Sequence, residues 1–300
     1  MTIHTSQREV AVTIDDLPLQ PPIPRAELLL EITKKLIKEL TLNNIPALGF
    51  VNEGRLYDEL GEKDEDRIAV LKMWVEAGLE LGNHTFSHYD LNDTPVATYL
   101  DDIARGEAIS KTLLAGKGLQ LKYFRHPYLH TGLTIETKEA VERFLDENGY
   151  MAAPVTFYNQ DWIFAKVYDR AKIQGDENTM KRISDSYLPY MEEIFDFFEK
   201  LSVDLLGYEV KQVLLLHASA LNADCLSSLA EMMKRRNYNF ISMDRALTDK
   251  AYFLPDNFTG PRGRSSLHRW AGVREMDLPR EPKEPEYISE LYNMNIDAGQ

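Results

Sequence analysis

Short apolar runs alternate with longer amphipathic segments along most of this chain, and this alternation restricts its possible folds more than any other feature. Strands are predicted at residues 10–14, 47–51, 80–83, 122–125, 150–155, 213–216 and 239–242. Helices are predicted at residues 26–40, 68–79, 96–114, 135–147, 179–201 and 223–236. Strands that alternate with helices in this way run parallel, so the pattern predicts an α/β fold. Seven strands favour a barrel, closed or incomplete, over an open sheet, although periodicity alone leaves both open.

The predicted organisation is a barrel over residues 1–250 and a C-terminal extension over residues 251–300. Residues 163–210 are longer than a plain crossover needs and are predicted to form a helical insertion. Its aromatic residues recur at helical spacing, which fits a packed core better than a sugar-stacking rim. The extension is rich in proline and charge, and we expect it to pack along the barrel or fray in part, with Trp270 anchored.

Composition excludes several classes of protein. The 300 residues carry a net charge of −14, which disfavours nucleic acid as a partner. No run of eighteen apolar residues is present, so no membrane span is predicted. Cys225 is the single cysteine, so any metal must be held by histidine and carboxylate side chains. No secretion signal is visible, which predicts a cytoplasmic protein, or a secreted or periplasmic one if the chain is a trimmed form.

Polar side chains cluster after the predicted strands. The clusters are Asp15 and Asp16 after strand one, His84 and His88 after strand three, Arg125, Pro127 and Tyr128 after strand four, Asp161 and Trp162 beyond strand five, and His217 after strand six. Because the carboxyl ends of parallel barrel strands lie on one face, we expect all five clusters to converge there.

Two of these clusters together suggest a metal site. His84 and His88 lie four residues apart, so on one helical face or in a tight turn both could reach one ion. Coincidence is the alternative for this spacing taken alone. Asp15 and Asp16 could instead cap a helix and face solvent. Neighbouring residues at a strand end point to opposite sides, so one carboxylate could bind the metal while the other faces substrate.

At these positions the chain resembles the polysaccharide deacetylases, also called carbohydrate esterase family 4 or the NodB-homology domain. The five motifs that carry the resemblance are Thr13-Ile14-Asp15-Asp16, His84-Thr85-Phe86-Ser87-His88, Arg125-His126-Pro127-Tyr128, Asp161-Trp162 and Leu215-Leu216-His217. They occur in the family's order and span most of the chain, from about residue 9 to residue 242. The resemblance implies a deformed (β/α)7 barrel of the NodB, or glycoside hydrolase/deacetylase, type.

The resemblance also implies a divalent metal, usually zinc, with cobalt, nickel and manganese as alternatives. The implied ligands are Asp16, His84 and His88. The resemblance further implies that Asp15 is the base that takes a proton from the metal-bound water and that Arg125 tethers Asp15. His217 would be the general acid, and Asp161 would orient His217. The implied residues of the substrate groove are Tyr128, whose N–H would be directed to the oxyanion, Trp162, Pro127 and His126. A metal with an open coordination position and a histidine acid suit amide hydrolysis.

The chain departs from the family pattern at two places. Leu17 stands where the family often has glycine after the two aspartates, which could reshape the first loop. Tyr158 stands where the fourth motif often has a further aspartate, so that support for the site is missing. His130 is expected in a loop, and neither His4 nor His268 is assigned a role.

The predicted function is therefore metal-dependent removal of N-acetyl groups, or of O-acetyl groups, from a glycan such as chitin oligomers or peptidoglycan. One alternative is hydrolysis of a small non-sugar amide or ureide on the same scaffold. A second is a glycan-binding protein without catalysis, which would not need a base, an acid and three metal ligands together. The expected partner is an acetylated glycan, and the sequence leaves its identity and the oligomeric state open.

Overall fold

The structure, a computed structural model, describes residues 7–297, and side chains as far as residue 294; His4 lies outside the described residues. Its strands are β1 (Arg8–Leu17), β2 (Leu48–Val51), β3 (Glu80–Asn83), β4 (Tyr123–Phe124), β5 (Met151–Ala152), β6 (Gln212–His217) and β7 (Tyr238–Phe240). They form one parallel sheet in the order β5-β4-β3-β2-β1-β6, and β7 pairs with the start of β1. Phe157 and Leu214 form a parallel bridge between the segment after β5 and β6.

Helices surround this curled sheet. They are α1 (Ala26–Leu42), α2 (Glu65–Glu76), α3 (Val96–Arg105), α4 (Ala108–Ala115), α5 (Ile135–Glu147), α6 (Asp161–Gln174), α7 (Glu177–Leu206), α8 (Ala220–Arg235), α9 (Met243–Ala246), α10 (Ser266–Val273) and α11 (Glu286–Asp297). Parallel strands curled into an incomplete barrel with helices outside confirm the predicted deformed (β/α)7 architecture. Among the described residues, no helix has both the length and the apolar character required to span a bilayer.

The alternation of side chains along strand β1 explains how a carboxylate comes to face the inside of the barrel. Ala11 packs inside the barrel with Phe50 and other inward residues, whereas Val12 and Ile14 pack outward against the helices. Since side chains alternate along a strand, Asp15 continues the inward row begun by Ala11. Burial on both sides explains why this strand is an almost unbroken apolar run.

The pair Asp15 and Asp16 differs from the prediction in two ways. Both residues lie within β1, which extends to Leu17, and not after its end. The pairing of β1 with β2 shifts register between Ile14 and Leu17, and Asp16 has a φ of 72°. This irregularity interrupts the alternation of side chains, so both carboxylates line one cavity instead of pointing to opposite sides.

The predicted helix at residues 96–114 is wrong in one respect, because the structure has two helices there. Helix α3 ends before Gly106, and α4 begins at Ala108. A Cβ at Gly106 would lie 2.6 Å from the backbone carbon of Thr85 and 2.7 Å from the backbone nitrogen of Phe86. The break therefore lets the helical segment approach the loop after β3, a tertiary contact that helical periodicity does not reveal.

The helices of the C-terminal extension pack on those of the insertion, α10 against α7 and α11 against α6. The insertion consists of two helices, α6 and α7, instead of the single helix predicted at residues 179–201. Its aromatic side chains are core, as their spacing predicted; those buried are Tyr168, Tyr187, Tyr190, Phe195 and Phe198. In the extension, Leu267 and Trp270 of α10 are buried, and Trp270 lies 5.7 Å from the ring of Tyr252.

Candidate active site

Asp16, His84 and His88 form a group of metal-binding side chains at the carboxyl ends of the strands. His88 Nε2 lies 3.5 Å from Asp16 Oδ1, and His84 Nε2 lies 3.9 Å from the same oxygen. One ligand atom from each residue lies within 4.8 Å of the other two. Bonds of about 2.1 Å in a tetrahedral zinc site place ligand atoms roughly 3.4 Å apart, so a small contraction of this group would complete a site.

The protonation of the two histidines suits metal binding. His84 Nδ1 lies 2.7 Å from the carbonyl oxygen of Arg125 and donates to it, which leaves Nε2 without a proton and directed at Asp16. Burial lowers the pKa of His84 well below its ordinary value and also lowers the pKa of His88. Both rings are therefore neutral near pH 7, the form in which imidazole binds a metal.

Asp16 supplies a buried oxygen that lacks a hydrogen-bond donor. Its Oδ1 forms an ion pair with Arg55 Nη1 at 3.0 Å but accepts no hydrogen bond. Burial would raise the pKa of Asp16, but Arg55 and His88 hold it below the ordinary value, so the carboxylate is ionised. Because this oxygen accepts no hydrogen bond, its lone pairs are available to a metal, and two imidazoles with one carboxylate suit zinc.

The loop after β3 is a turn held by side chains, not a helical face. Thr85 and His88 have φ values of 63° and 57°. Asn83 Oδ1 accepts from the Thr85 N–H at 2.8 Å, and Thr85 Oγ1 accepts from the His88 N–H at 2.9 Å. Asp102 of α3 accepts from the N–H and the hydroxyl of Ser87 at 2.8 and 2.7 Å. These bonds fix the backbone that carries both histidines.

Asp15 lies beside the candidate metal group and is held by Arg125. Arg125 Nη1 lies 3.5 and 3.4 Å from the two carboxylate oxygens of Asp15, and its Nη2 donates to Thr13 Oγ1 at 3.2 Å. Burial raises the pKa of Asp15 to about 6, even though the Arg125 charge opposes that shift. Asp15 Oδ2 is 3.9 Å from His84 Nε2, so this carboxylate borders the metal group as well.

His217 faces the same cavity from the neighbouring strand. It stands opposite Asp15 in the β1–β6 register. His217 Nδ1 donates to Asp161 Oδ1 at 2.8 Å, the His217 N–H donates to Asp161 Oδ2 at 2.7 Å, and Asn222 Nδ2 donates to the same oxygen at 2.8 Å. Burial would lower the pKa of His217, but Asp161, with Asp16 and Asp15, raises it to about 9. The ring is therefore a proton donor near pH 7.

A cavity of about 530 Å³ joins these groups. Tyr128 lines it with a φ of 57°, and its half-exposed ring lies 4.7 Å from that of His88. Trp162 lines it and donates through Nε1 to Gln160 Oε1 at 2.8 Å. His126 also lines it, with its Nδ1 3.2 Å from the Tyr99 hydroxyl.

One groove residue implied by the resemblance does not reach the cavity. Pro127 is buried at the start of the turn that carries Tyr128, and it is not among the lining residues. Its place in that turn fits a proline, because the ring fixes the backbone angle φ and needs no N–H donor.

Several residues in or beside the cavity were not expected from the sequence. Arg55 does not line the cavity but contacts Asp16; it follows β2, so the rule about strand ends would have found it if applied to the second strand. The unexpected lining residues come from beyond the barrel and are Pro261, Arg262, Gly263, Arg264, His268 and Glu281. No periodicity or motif marks them, because their approach to the cavity depends on how the extension folds back.

Comparisons with known proteins find similar sequences and similar folds. A family model described as polysaccharide deacetylase matches residues 2–152. A peptidoglycan-N-acetylglucosamine deacetylase of Bacillus cereus is 31% identical over 123 residues, which are 41% of this chain. That match covers 37% of the relative's own length.

Solved structures share the fold at low sequence identity. A polysaccharide deacetylase from Bacillus cereus aligns with a TM-score of 0.52 at 15% identity, over 79% of this chain and 92% of the other. A carbohydrate esterase family 4 pseudoenzyme from Bacillus anthracis aligns with a TM-score of 0.51 at 14% identity, over 81% of this chain and 66% of the other. Since one of these neighbours is a pseudoenzyme, shared fold alone does not establish catalysis.

Proposed function

The chain belongs to the polysaccharide deacetylase family, and on that premise we propose that it is a metal-dependent hydrolase that removes N-acetyl groups from an amino-sugar glycan. One observation carries this proposal. The metal group, Asp15 and His217 border a single cavity, and Arg125 and Asp161 hold Asp15 and His217 from outside it by ion pairs. A binding protein without catalysis would not need an ionisable base and a protonated histidine side by side on neighbouring strands.

Asp16, His84 and His88 would hold the metal, for which zinc is the best match to the donor set. When bound there with an open position, such a metal polarises the acetamide carbonyl and lowers the pKa of a water molecule. The Tyr128 N–H is the proposed further donor to the developing oxyanion, in a turn where the ring also borders the metal group.

Two proton transfers fall to this chain's own side chains. Asp15, ionised above about pH 6, accepts a proton from the attacking water while Arg125 keeps its carboxylate in place. His217 donates a proton to the departing nitrogen, because an amine leaves poorly unless it is protonated. Asp161 holds the His217 ring so that its Nε2 carries that proton into the cavity.

A small amide or ureide is the second candidate substrate class. The cavity volume of about 530 Å³ falls within the range typical of small-molecule sites, and the C-terminal extension contributes part of its wall. O-acetyl groups remain a further possibility for the same chemistry, since the attack on the acyl carbon is the same and the leaving group is easier to expel.

A substrate panel tests the proposal directly. Acetate release would be measured from chitin oligomers, peptidoglycan and acetylated xylan, and amine release from a small ureide, each with a chelator and after zinc is restored. We expect acetate from an N-acetylated glycan, loss of that activity with chelator, and recovery with zinc. Release from the ureide alone would replace the glycan proposal with the second candidate. No turnover of any substrate by the zinc-loaded protein would contradict an enzymatic role.

A further inference from the structure

The C-terminal extension supplies two arginines to the cavity that holds the metal group. Arg262 and Arg264 line this cavity together with Asp16 and His217. Arg262 is exposed, whereas Arg264 is half-buried. These two guanidinium groups lie outside the part of the chain that matches the family model, so their function has to be inferred from their own surroundings.

The segment that carries these arginines is fixed closely against the active-site turn. A Cβ at Gly263 would lie 1.8 Å from the carbonyl oxygen of Tyr128, so only glycine fits at this position. On either side, the Gly260 N–H donates to the Gly132 carbonyl at 3.3 Å, and the Ser266 N–H donates to the Val155 carbonyl at 2.7 Å. The arginines are therefore presented from backbone that is tied to the barrel on both sides.

Within the described part of the chain, neither Arg262 nor Arg264 makes a hydrogen bond or an ion pair through its side chain. Arg269 in the same segment, by contrast, is paired with Asp256. Glu281 of the same extension also lines the cavity and interacts with Arg264 through its charge, but the two side chains form no close ion pair. A partly buried guanidinium that forms no close ion pair still has its N–H donors free, so a bound ligand that brings an anion would give it a strong partner.

We propose that Arg264, assisted by Arg262, binds a carboxylate group on the substrate, so that this site acts on an acidic N-acetylated sugar. The proposal rests on the proposed function, because it assigns the substrate of the same cavity. A guanidinium binds a carboxylate through two parallel N–H donors, which gives direction as well as charge. A phosphate, with a charge near −2, fits less well, since Glu281 offsets part of the positive charge of this wall.

Burial supports the electrostatic part of this argument. It raises the pKa of Glu281 to about 7, although Arg264 opposes that shift. Glu281 therefore offsets the positive charge of the two arginines only in part near pH 7, which leaves positive charge on this side of the cavity for one carboxylate.

Binding measurements test the proposal separately from turnover. The zinc-loaded protein would be titrated calorimetrically with two acidic sugars, N-acetylmuramic acid and 2-acetamido-2-deoxyglucuronic acid, and with the methyl ester of each. An ester keeps the shape and removes the charge, so we expect at least one acid to bind about tenfold more tightly than its ester. Equal affinity within both pairs, or no binding of any of the four, would overturn the proposal. Acetate release from the same sugars, measured in parallel, reports on the proposed function alone.

Variants identify the residue responsible. Arg264→Gln should abolish the preference for the acid over its ester, and Arg264→Lys should restore it only in part, because lysine lacks the paired donors. Arg280→Gln makes the same change of charge at an exposed position of the extension that does not line the cavity, so it should keep the full preference. A preference that survives Arg264→Gln unchanged would remove Arg264 from the site.

The glycine at position 263 gives an independent test of how the arginines are held. Gly263→Ala should force the segment away from Tyr128 and reduce the preference for the acid as Arg264→Gln does. The matched control is Gly272→Ala in α10, where a Cβ meets nothing within 4 Å and which should leave the preference intact. Far-ultraviolet circular dichroism would verify folding. If folded Gly263→Ala keeps the preference, then the close contact with Tyr128 does not position the arginines.

Discussion

Two adjacent buried aspartates acquire different electrostatic properties because the positive charges around Asp16 outweigh the effect of its burial, whereas those around Asp15 do not. Asp15 is buried beside Arg125, and its pKa stays raised at about 6. Asp16 meets Arg55 and His88, which hold its pKa below the ordinary value. The register shift in β1 brings both into one cavity. One carboxylate is thereby suited to accepting a proton and the other to holding a cation.

The substitution Asp15→Asn separates these roles at the scale of a single residue. Because Asn keeps the shape but cannot accept the proton, we expect metal content to stay near that of the unaltered chain while the rate of acetate release falls by roughly 10²- to 10⁴-fold. Asp93→Asn, the same change at an exposed aspartate, should leave both unchanged. Substantial residual activity in Asp15→Asn would deny Asp15 the role of base.

Most residues of the site could be predicted from the sequence because they follow strand ends in a recognisable order. Asp15, Asp16, His84, His88 and His217 line the cavity as that order suggested. The backbone that positions them could not be predicted, because it depends on contacts between residues far apart in sequence.

At the scale of elements, the close approach of the α3–α4 break to the loop after β3 determines where the histidines lie. Gly106→Ala would place a methyl group within 3 Å of Thr85 and Phe86. We expect overpacking to cost about 1–3 kcal/mol and to weaken zinc binding, since the displaced loop carries His84 and His88.

Thermal unfolding and zinc titration of Gly106→Ala would measure both effects. Gly116→Ala is the matched control, because a Cβ there meets its nearest atom at 3.4 Å, beyond the range of a clash. If Gly106→Ala loses stability but keeps the zinc affinity of the unaltered chain, the loop is not held in place by this contact.

The buried carboxylate of Asp169 links helices α6 and α8 by hydrogen bonds. Asp169 of α6 accepts hydrogen bonds at Oδ1 from the N–H groups of Ala220 and Leu221, at the start of α8, at 3.0 and 3.3 Å. Burial raises the pKa of Asp169 to about 7. Between about pH 4 and pH 7 the folded chain therefore holds a proton on Asp169 that the unfolded chain has released. The contribution of Asp169 to the free energy of unfolding is complete below about pH 4 and is lost as the pH rises towards 7.

Asp169→Asn keeps the acceptor oxygen and removes the titration. The free energy of unfolding, measured with urea from pH 4 to pH 7.5, should therefore depend less on pH in this variant, by up to about 1.4 kcal/mol per pH unit. The exposed Asp101→Asn should keep the pH dependence of the unaltered chain. An identical pH dependence in Asp169→Asn would mean that Asp169 does not retain its proton in the folded state.

At the scale of the whole molecule, the barrel and the extension build the cavity together. The alternating strands and helices predicted the curled parallel sheet, because a continuous apolar run is what a strand buried on both faces requires. The extension offered no such regularity, and a sequence pattern could not place Arg264 or Glu281 near Asp16. Their position depends on Gly263 fitting against Tyr128 and on Trp270 being buried, which are matters of long-range packing.

Metal stoichiometry tests the central claim most directly. Zinc per chain would be measured by mass spectrometry after dialysis for the unaltered protein, for His84→Ala and for the control His130→Ala. In the unaltered protein His130 pairs with Asp90 and is not part of the metal group. We expect one zinc in the unaltered protein and in His130→Ala, and close to none in His84→Ala. Full zinc occupancy in His84→Ala, or none in the unaltered protein supplied with zinc, would contradict it.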